Sequence, residues 1–137
     1  MNKCYLTSVF VLSLLCVFAG LSYGCPNAPP TAIATCGFTV PTSAEAVTVK
    51  VGETVYFDGS TSTDTSQGGS VVAYRWIFPP EAYAISGENT ANAKCKFYPA
   101  GNCDVYLMVQ DNEGAWSDSP GDDCAITVTA ASSTDWY

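Results

Sequence analysis

Among side chains able to do covalent or acid–base chemistry, the 137-residue chain holds seven cysteines, thirteen Asp plus Glu, five Lys plus Arg and no histidine. Without imidazole, every His-based triad, His metal cage and His acid–base mechanism is excluded. Glu81 and Glu88 could imitate a glycosidase carboxylate pair, yet nothing in the sequence sets them face to face. The remaining bases are Lys50, Arg75, Lys94 and Lys96, and no G-x-S-x-G elbow accompanies the many Ser and Thr. The chain therefore reads as non-enzymatic, with no cofactor. Asp118, Asp122 and Asp123 are the first candidates for an oxygen-ligated metal such as Ca²⁺, although the D-x-D-x-D-G spacing of an EF-hand is absent. Trp116, Trp136 and Tyr137 stand where aromatics can stack on sugar rings or partner proteins, so they are the ligand-contact candidates.

The net charge of −8 repels phosphate backbones and argues against nucleic acid as a partner. Much of the 47% hydrophobic content lies at the start, where Lys3 precedes an apolar run from Tyr5 to Leu21 and then Ser22-Tyr23-Gly24. That pattern reads as a signal peptide over residues 1–24, with small residues at −3 and −1 of a cut before Cys25. The mature chain would carry four basic and thirteen acidic side chains, a net charge of −9. Its localisation is expected to be extracellular or at the cell surface, with membrane contact through the signal or a lipid anchor alone. Five cysteines then remain: Cys25, Cys36, Cys95, Cys103 and Cys124. An odd number in an oxidising compartment singles one out. Cys25, at the mature N-terminus, is the candidate for lipid attachment or an intermolecular thiol, although Ser22 and Tyr23 depart from the lipobox pattern. No C-x-x-C spacing suggests zinc.

The elements that must position these residues follow from periodicity. Residues 25–30 form a Pro-rich leader, extended and non-helical. Beyond it apolar residues recur with period two: Val47, Val49 and Val51; Val55 and Phe57; Tyr74, Trp76 and Phe78; Val105, Leu107 and Val109; Ile126 and Val128. These are half-buried strands, with Trp76, Tyr74, Phe57, Leu107 and Val109 as core candidates. Gly52-Glu53, Asp58-Gly59, Gly68-Gly69, Pro79-Pro80, Pro99-Ala100-Gly101 and Asn112-Glu113-Gly114 punctuate them. The low-complexity stretch from Gly59 to Ser70 reads as a solvated loop with nothing to bury. About seven short strands over residues 31–130, with a tail at 131–137, predict an antiparallel β-sandwich.

Read in order, Val51-Gly52-Glu53-Thr54-Val55, Phe57-Asp58-Gly59-Ser60-Thr61-Ser62-Thr63-Asp64, Tyr74-Arg75-Trp76-Ile77-Phe78, Tyr98-Pro99-Ala100-Gly101-Asn102-Cys103 and Val109-Gln110-Asp111-Asn112-Glu113-Gly114 resemble the PKD (polycystic kidney disease) domain, an immunoglobulin-like module. The resemblance covers about Pro30 to Ala130. Two departures stand out. Phe78-Pro79-Pro80-Glu81 occupies the place of the usual F-G-D-G turn, and Cys103 stands where the family has a second Tyr. The resemblance implies an immunoglobulin-like antiparallel sandwich in which Cys103 and Cys124 begin neighbouring strands at opposite ends. It further implies bridges Cys95–Cys103 and Cys36–Cys124, with Cys25–Cys124 as the rival.

Two functional expectations follow. The first is a secreted or surface-attached interaction module that binds an extracellular protein, a glycan or copies of itself. The second is a structural subunit of an extracellular filament or matrix, in which the leader or the tail Thr127 to Tyr137 adds as a strand to a neighbour's edge.

Overall fold

The computed structural model describes residues 26–40 and 42–131. The expected signal peptide, Cys25, Trp136 and Tyr137 lie outside the described residues. Among the described residues eight strands form: β1 (Thr35–Gly37), β2 (Ala46–Lys50), β3 (Thr54–Asp58), β4 (Val71–Ile77), β5 (Ala82–Ser86), β6 (Asn92–Phe97), β7 (Gly101–Asp111) and β8 (Asp122–Thr129). They make two four-stranded sheets. The first runs β1-β3-β6-β5 and the second β2-β8-β7-β4. Alternation along each strand sends one set of side chains inward. Val55 and Phe57 from β3, Cys95 and Phe97 from β6, Val105, Leu107 and Val109 from β7, and Cys124, Ile126 and Val128 from β8 fill the space between the sheets. Trp76 joins them at 4% exposure, while Tyr74 packs against them half-buried. Phe57 is the hub of the aromatic contacts, with ring centroids 5.5 Å from Trp76 and 5.6 Å from Phe78.

The architecture is not wholly antiparallel. β2 runs parallel to β8, from Ala46 opposite Ala125 to Lys50 opposite Thr129. Residues 38–45 carry the chain from β1 in one sheet to β2 in the other, so β2 arrives pointing the same way as β8. β8 also begins further along β7 than the resemblance implied. Cys124 faces Val105 and Cys103 faces Ile126, two register steps apart and not at opposite ends. The cause is the long connection of residues 112–121, which pairs Trp116 with Gln110 before β8 starts.

The Gly59–Ser70 stretch is ordered by its own short polar side chains. Asp58 Oδ1 accepts the Ser60 N–H at 2.8 Å, and Asp64 Oδ1 accepts the Ser66 N–H at 2.8 Å. Thr63 and Thr31 exchange backbone hydrogen bonds at 2.7 and 3.0 Å. The solvated-loop expectation missed these turns because Asp, Ser and Thr hydrogen-bond to nearby backbone without burying apolar area. This loop also holds the leader. Ser66 Oγ accepts the Ala28 N–H at 3.1 Å and donates to Asn27 Oδ1 at 2.9 Å, while Pro30 is buried.

Asn27 donates its amide to Asp111 Oδ2 at 2.8 Å. Asp111 is only 1% exposed, and its Oδ1 accepts the Glu113 and Ala115 N–H groups at 2.9 and 2.8 Å. Burial alone would raise this carboxyl, but the bonds from Asn27, Ala115, Glu113 and Gly114 outweigh it and hold the group below its usual range. A depressed folded-state pKa adds stability above the unfolded value of about 3.9, and that stability is lost as pH falls through the folded value. Asp111→Asn should therefore melt below wild type at neutral pH, with the gap closing below about pH 4. Melting temperature against pH for both proteins checks this, and a constant gap would refute it.

Candidate functional site

At one end of the sandwich, the β4–β5 connection and the β6–β7 arch meet and leave two tyrosines in the open. Tyr98 is 66% exposed and Tyr83 is 44% exposed. Their orientation follows from strand phase. Cys95 and Phe97 of β6 point inward, so Lys96 and the next residue in phase, Tyr98, point outward. Tyr83 is registered directly opposite Lys96 and shares that outer face. Pro80, Glu81, Ala82, Tyr83 and Tyr98 line an open groove of about 380 Å³.

Local backbone holds this groove in shape. Tyr98 donates its N–H to the Glu81 carbonyl at 2.9 Å, which ties the arch to the β4–β5 connection. Gly52 donates its N–H to the Phe97 carbonyl at 3.2 Å. Gly52 has φ +82°, and a Cβ there would meet the Tyr83 hydroxyl oxygen at 3.5 Å, so the β2–β3 turn comes up beside the tyrosine. Just past Tyr83, β5 slips register against β6, and Ala84 takes φ 52°. A non-glycine residue in that region marks a strained bulge, and bulges re-aim neighbouring side chains. The site thus offers two aromatic faces, two phenolic hydroxyls, a carboxylate and an ammonium on an open surface. Those groups can stack on the apolar face of a sugar ring and exchange hydrogen bonds with its hydroxyls.

The residues singled out by sequence fall elsewhere. Trp116 is 38% exposed and sits near the far end of β7, with Gln110 as its backbone partner. Asp122 and Asp123 are neighbours in a strand, so they project to opposite faces. Asp122 Oδ2 is moreover occupied by the Ala34 N–H at 2.7 Å. The acidic trio is therefore not assembled, and among the described residues no group of three or more His, Cys, Asp or Glu could hold a metal ion. Asp118 and Asp122 do share a second depression, of about 410 Å³, with Pro29, Pro30 and Ser117. Glu81 precedes β5 and Glu88 follows it, so the two lie at opposite ends of that strand and do not stand side by side as a glycosidase pair would.

Among the described residues, parts of the segments expected to donate strands are engaged within their own chain. Asn27, Ala28 and Thr31 are bonded as described, and Thr127–Thr129 already form part of β8 between β2 and β7. Register shifts in β4 and β5 further interrupt two of the four sheet edges.

Cys36 and Cys124 form a disulfide between the sheets, with Cα atoms 6.3 Å apart. That bond displaces the rival Cys25–Cys124 pairing. Cys95 and Cys103, which the resemblance implied to be bonded, are free thiols in the structure, Cys95 buried and Cys103 half-buried. They sit on strands of opposite sheets, Cys95 on β6 and Cys103 on β7, and are not bonded to each other. Burial first, and then the charge of Cys103, push the Cys95 thiol up to about 12. Burial, Glu81 and Asp104, in that order, raise Cys103 as well.

Sequence reasoning missed Tyr83 and Tyr98 as site residues. Tyr98 falls in the Tyr98–Cys103 segment that carries the PKD resemblance, and its outward phase becomes legible once Cys95 and Phe97 are known to point inward.

No protein-family model matches the chain, and no curated protein matches it. Solved structures do. A carbohydrate-binding module from the β-sandwich superfamily, described for its promiscuous specificity, aligns with 31% identity and a TM-score of 0.56 over 78% of this chain. This chain spans 37% of that one. The solution structure of a PKD domain aligns with 18% identity and a TM-score of 0.52, covering 80% of this chain and 95% of the domain. A nucleoside hydrolase-related hypothetical protein from Saccharophagus degradans, associated with carbohydrate metabolism, aligns with 19% identity and a TM-score of 0.51, covering 77% of this chain and 26% of that one.

Proposed function

Taking the chain as a PKD-like, immunoglobulin-like β-sandwich, we propose that it is a secreted, non-catalytic module that binds neutral glycans at the Tyr83–Tyr98 groove. The observation that carries this reading is the pair of exposed tyrosines flanking an open groove beside Glu81 and Lys96. An open groove suits a polysaccharide chain laid across the surface, whereas a deep pocket would take only a chain end. The net charge of −8 disfavours polyanionic glycans and leaves neutral ones. The likeness to a carbohydrate-binding module supports the class of ligand. The Cys36–Cys124 disulfide supports an oxidising, extracytoplasmic location.

Affinity electrophoresis against soluble β-glucan, xylan and glucomannan is the direct test. Tyr98→Ala should weaken retention on whichever polysaccharide binds by about tenfold, the equivalent of losing one stacking contact of ~1.4 kcal/mol. Undiminished binding by Tyr98→Ala together with loss in Trp116→Ala would move the site to the far end of β7. Absence of retention on every neutral polysaccharide would remove the reading.

A further inference from the structure

The free thiols of Cys95 and Cys103 are spaced evenly about one structural feature. β6 ends at Phe97 and β7 begins at Gly101, so each cysteine lies two residues in from the arch that joins the sheets. Both have inward phase. Cys95 is fully buried opposite Val55, and Cys103 packs against the core from a position opposite Ile126. Both side chains therefore enter the interior from strands linked by a three-residue turn, and Cys95 feels the charge of Cys103. Cys36 and Cys124 show that the two sheets of this fold come close enough for a bridge, with 6.3 Å between Cα atoms.

We infer that Cys95 and Cys103 are a dithiol that closes into a second intersheet disulfide on exposure to an external disulfide. The step balances as two successive exchanges. The half-buried Cys103 loses its proton, and the thiolate attacks one sulfur of the external disulfide, releasing one small thiolate and leaving a mixed disulfide. Cys95 then loses its proton and attacks the Cys103 sulfur, expelling the second small thiolate. Two electrons pass to the external disulfide and two protons leave the cysteines. Cys103 must be the entry thiol because Cys95 has no exposed surface.

The surroundings make closure depend on pH. Glu81 from the β4–β5 connection and Asp104 on β7 place negative charge near Cys103, whereas β3 and β8 present Val55 and Ile126 in register with the two cysteines. Burial first, and then these charges, suppress thiolate formation at Cys103 at neutral pH, and exchange runs through the thiolate. Closure fixes the arch that carries Tyr98, so oxidation would also rigidify one wall of the groove.

Peptide mapping reads the bond directly. Cleavage after lysine and before aspartate yields Cys95-Lys96 and Phe97–Cys103, which remain joined only if the bridge exists. The native protein is incubated with oxidised glutathione at about pH 7 and about pH 9, unfolded in excess N-ethylmaleimide and then digested. The linked pair is expected, forming severalfold faster at the higher pH, and Glu81→Gln is expected to accelerate it at neutral pH. Alkylation of both cysteines after the alkaline incubation, or a Cys103 joined to Cys25, would overturn the inference. A rate indifferent to Glu81→Gln would overturn the part assigned to the Glu81 charge.

Discussion

Replacing Cys36 and Cys124 together by Ala should lower the melting temperature by roughly 20 °C or more. The bond joins β1, a three-residue strand at the edge of one sheet, to β8 in the middle of the other. β1 has three residues in register with β3 and one bridge from Cys36 to Ala44, too little to hold itself in place. A sequence separation of 88 means that the cross-link removes a large loop-closure entropy from the unfolded chain, about 4.6 kcal/mol in the entropic account. Domains of this size are stable by about 5–15 kcal/mol, so the loss is a large share of the total. At about 4–8 °C per kcal/mol, it becomes the stated fall in melting temperature. Alanine is the right substitute because both sulfurs are fully buried, and a serine hydroxyl there would add a desolvation cost of its own. Thermal melts followed by far-UV circular dichroism check the result. A fall below about 5 °C would mean that core packing, and not the cross-link, holds β1 against the second sheet.

How far the sequence spoke for the fold depended on whether a strand had one wet face. β7 and β8 alternate cleanly, with Val105, Leu107 and Val109 inward against Tyr106 and Met108, and Ile126 and Val128 inward against Ala125 and Thr127. Period-two reading finds such strands. β1 offers Thr35-Cys36-Gly37, too short to show any period, and it is held by the disulfide and by β3. The parallel pairing of β2 with β8 was equally hidden, because Val47 and Val49 alternate in the same way whichever neighbour they pair with. At the groove, the sequence showed that Pro79-Pro80-Glu81 departs from the expected tight turn. It could not show that this longer connection would meet the β6–β7 arch and bare Tyr83 and Tyr98. That outcome depends on a contact between distant segments, the Tyr98 N–H to the Glu81 carbonyl. Trp116 attracted notice for its residue type, but residue type alone says nothing about which end of the sandwich collects the exposed aromatics.

Trp76 is the second residue whose loss should be severe, and two substitutions separate its roles. The side chain is 4% exposed and packs against Phe57, and the indole Nε1–H donates to the Thr90 carbonyl at 3.0 Å. Its own backbone N–H donates to the Glu88 carbonyl at 2.8 Å. Glu88 and Thr90 lie in the connection between β5 and β6 of the other sheet, so Trp76 fastens the β4 edge to that connection through two bonds, and only one depends on its side chain. Gly59 makes room for the ring: a Cβ there would stand 3.3 Å from the indole Cζ2 and 2.5 Å from Leu107 Cδ2. Trp76→Ala removes the packing and the indole bond together and should cost about 3–5 kcal/mol. Trp76→Phe keeps most of the apolar volume but loses the bond to the Thr90 carbonyl, which together with the unfilled part of the ring volume should cost about 1–3 kcal/mol. Urea unfolding followed by far-UV circular dichroism gives both values without relying on tryptophan emission. If Trp76→Phe proved as damaging as Trp76→Ala, the bond to Thr90 would be the dominant contribution; a neutral Trp76→Phe would reduce Trp76 to a space-filling ring.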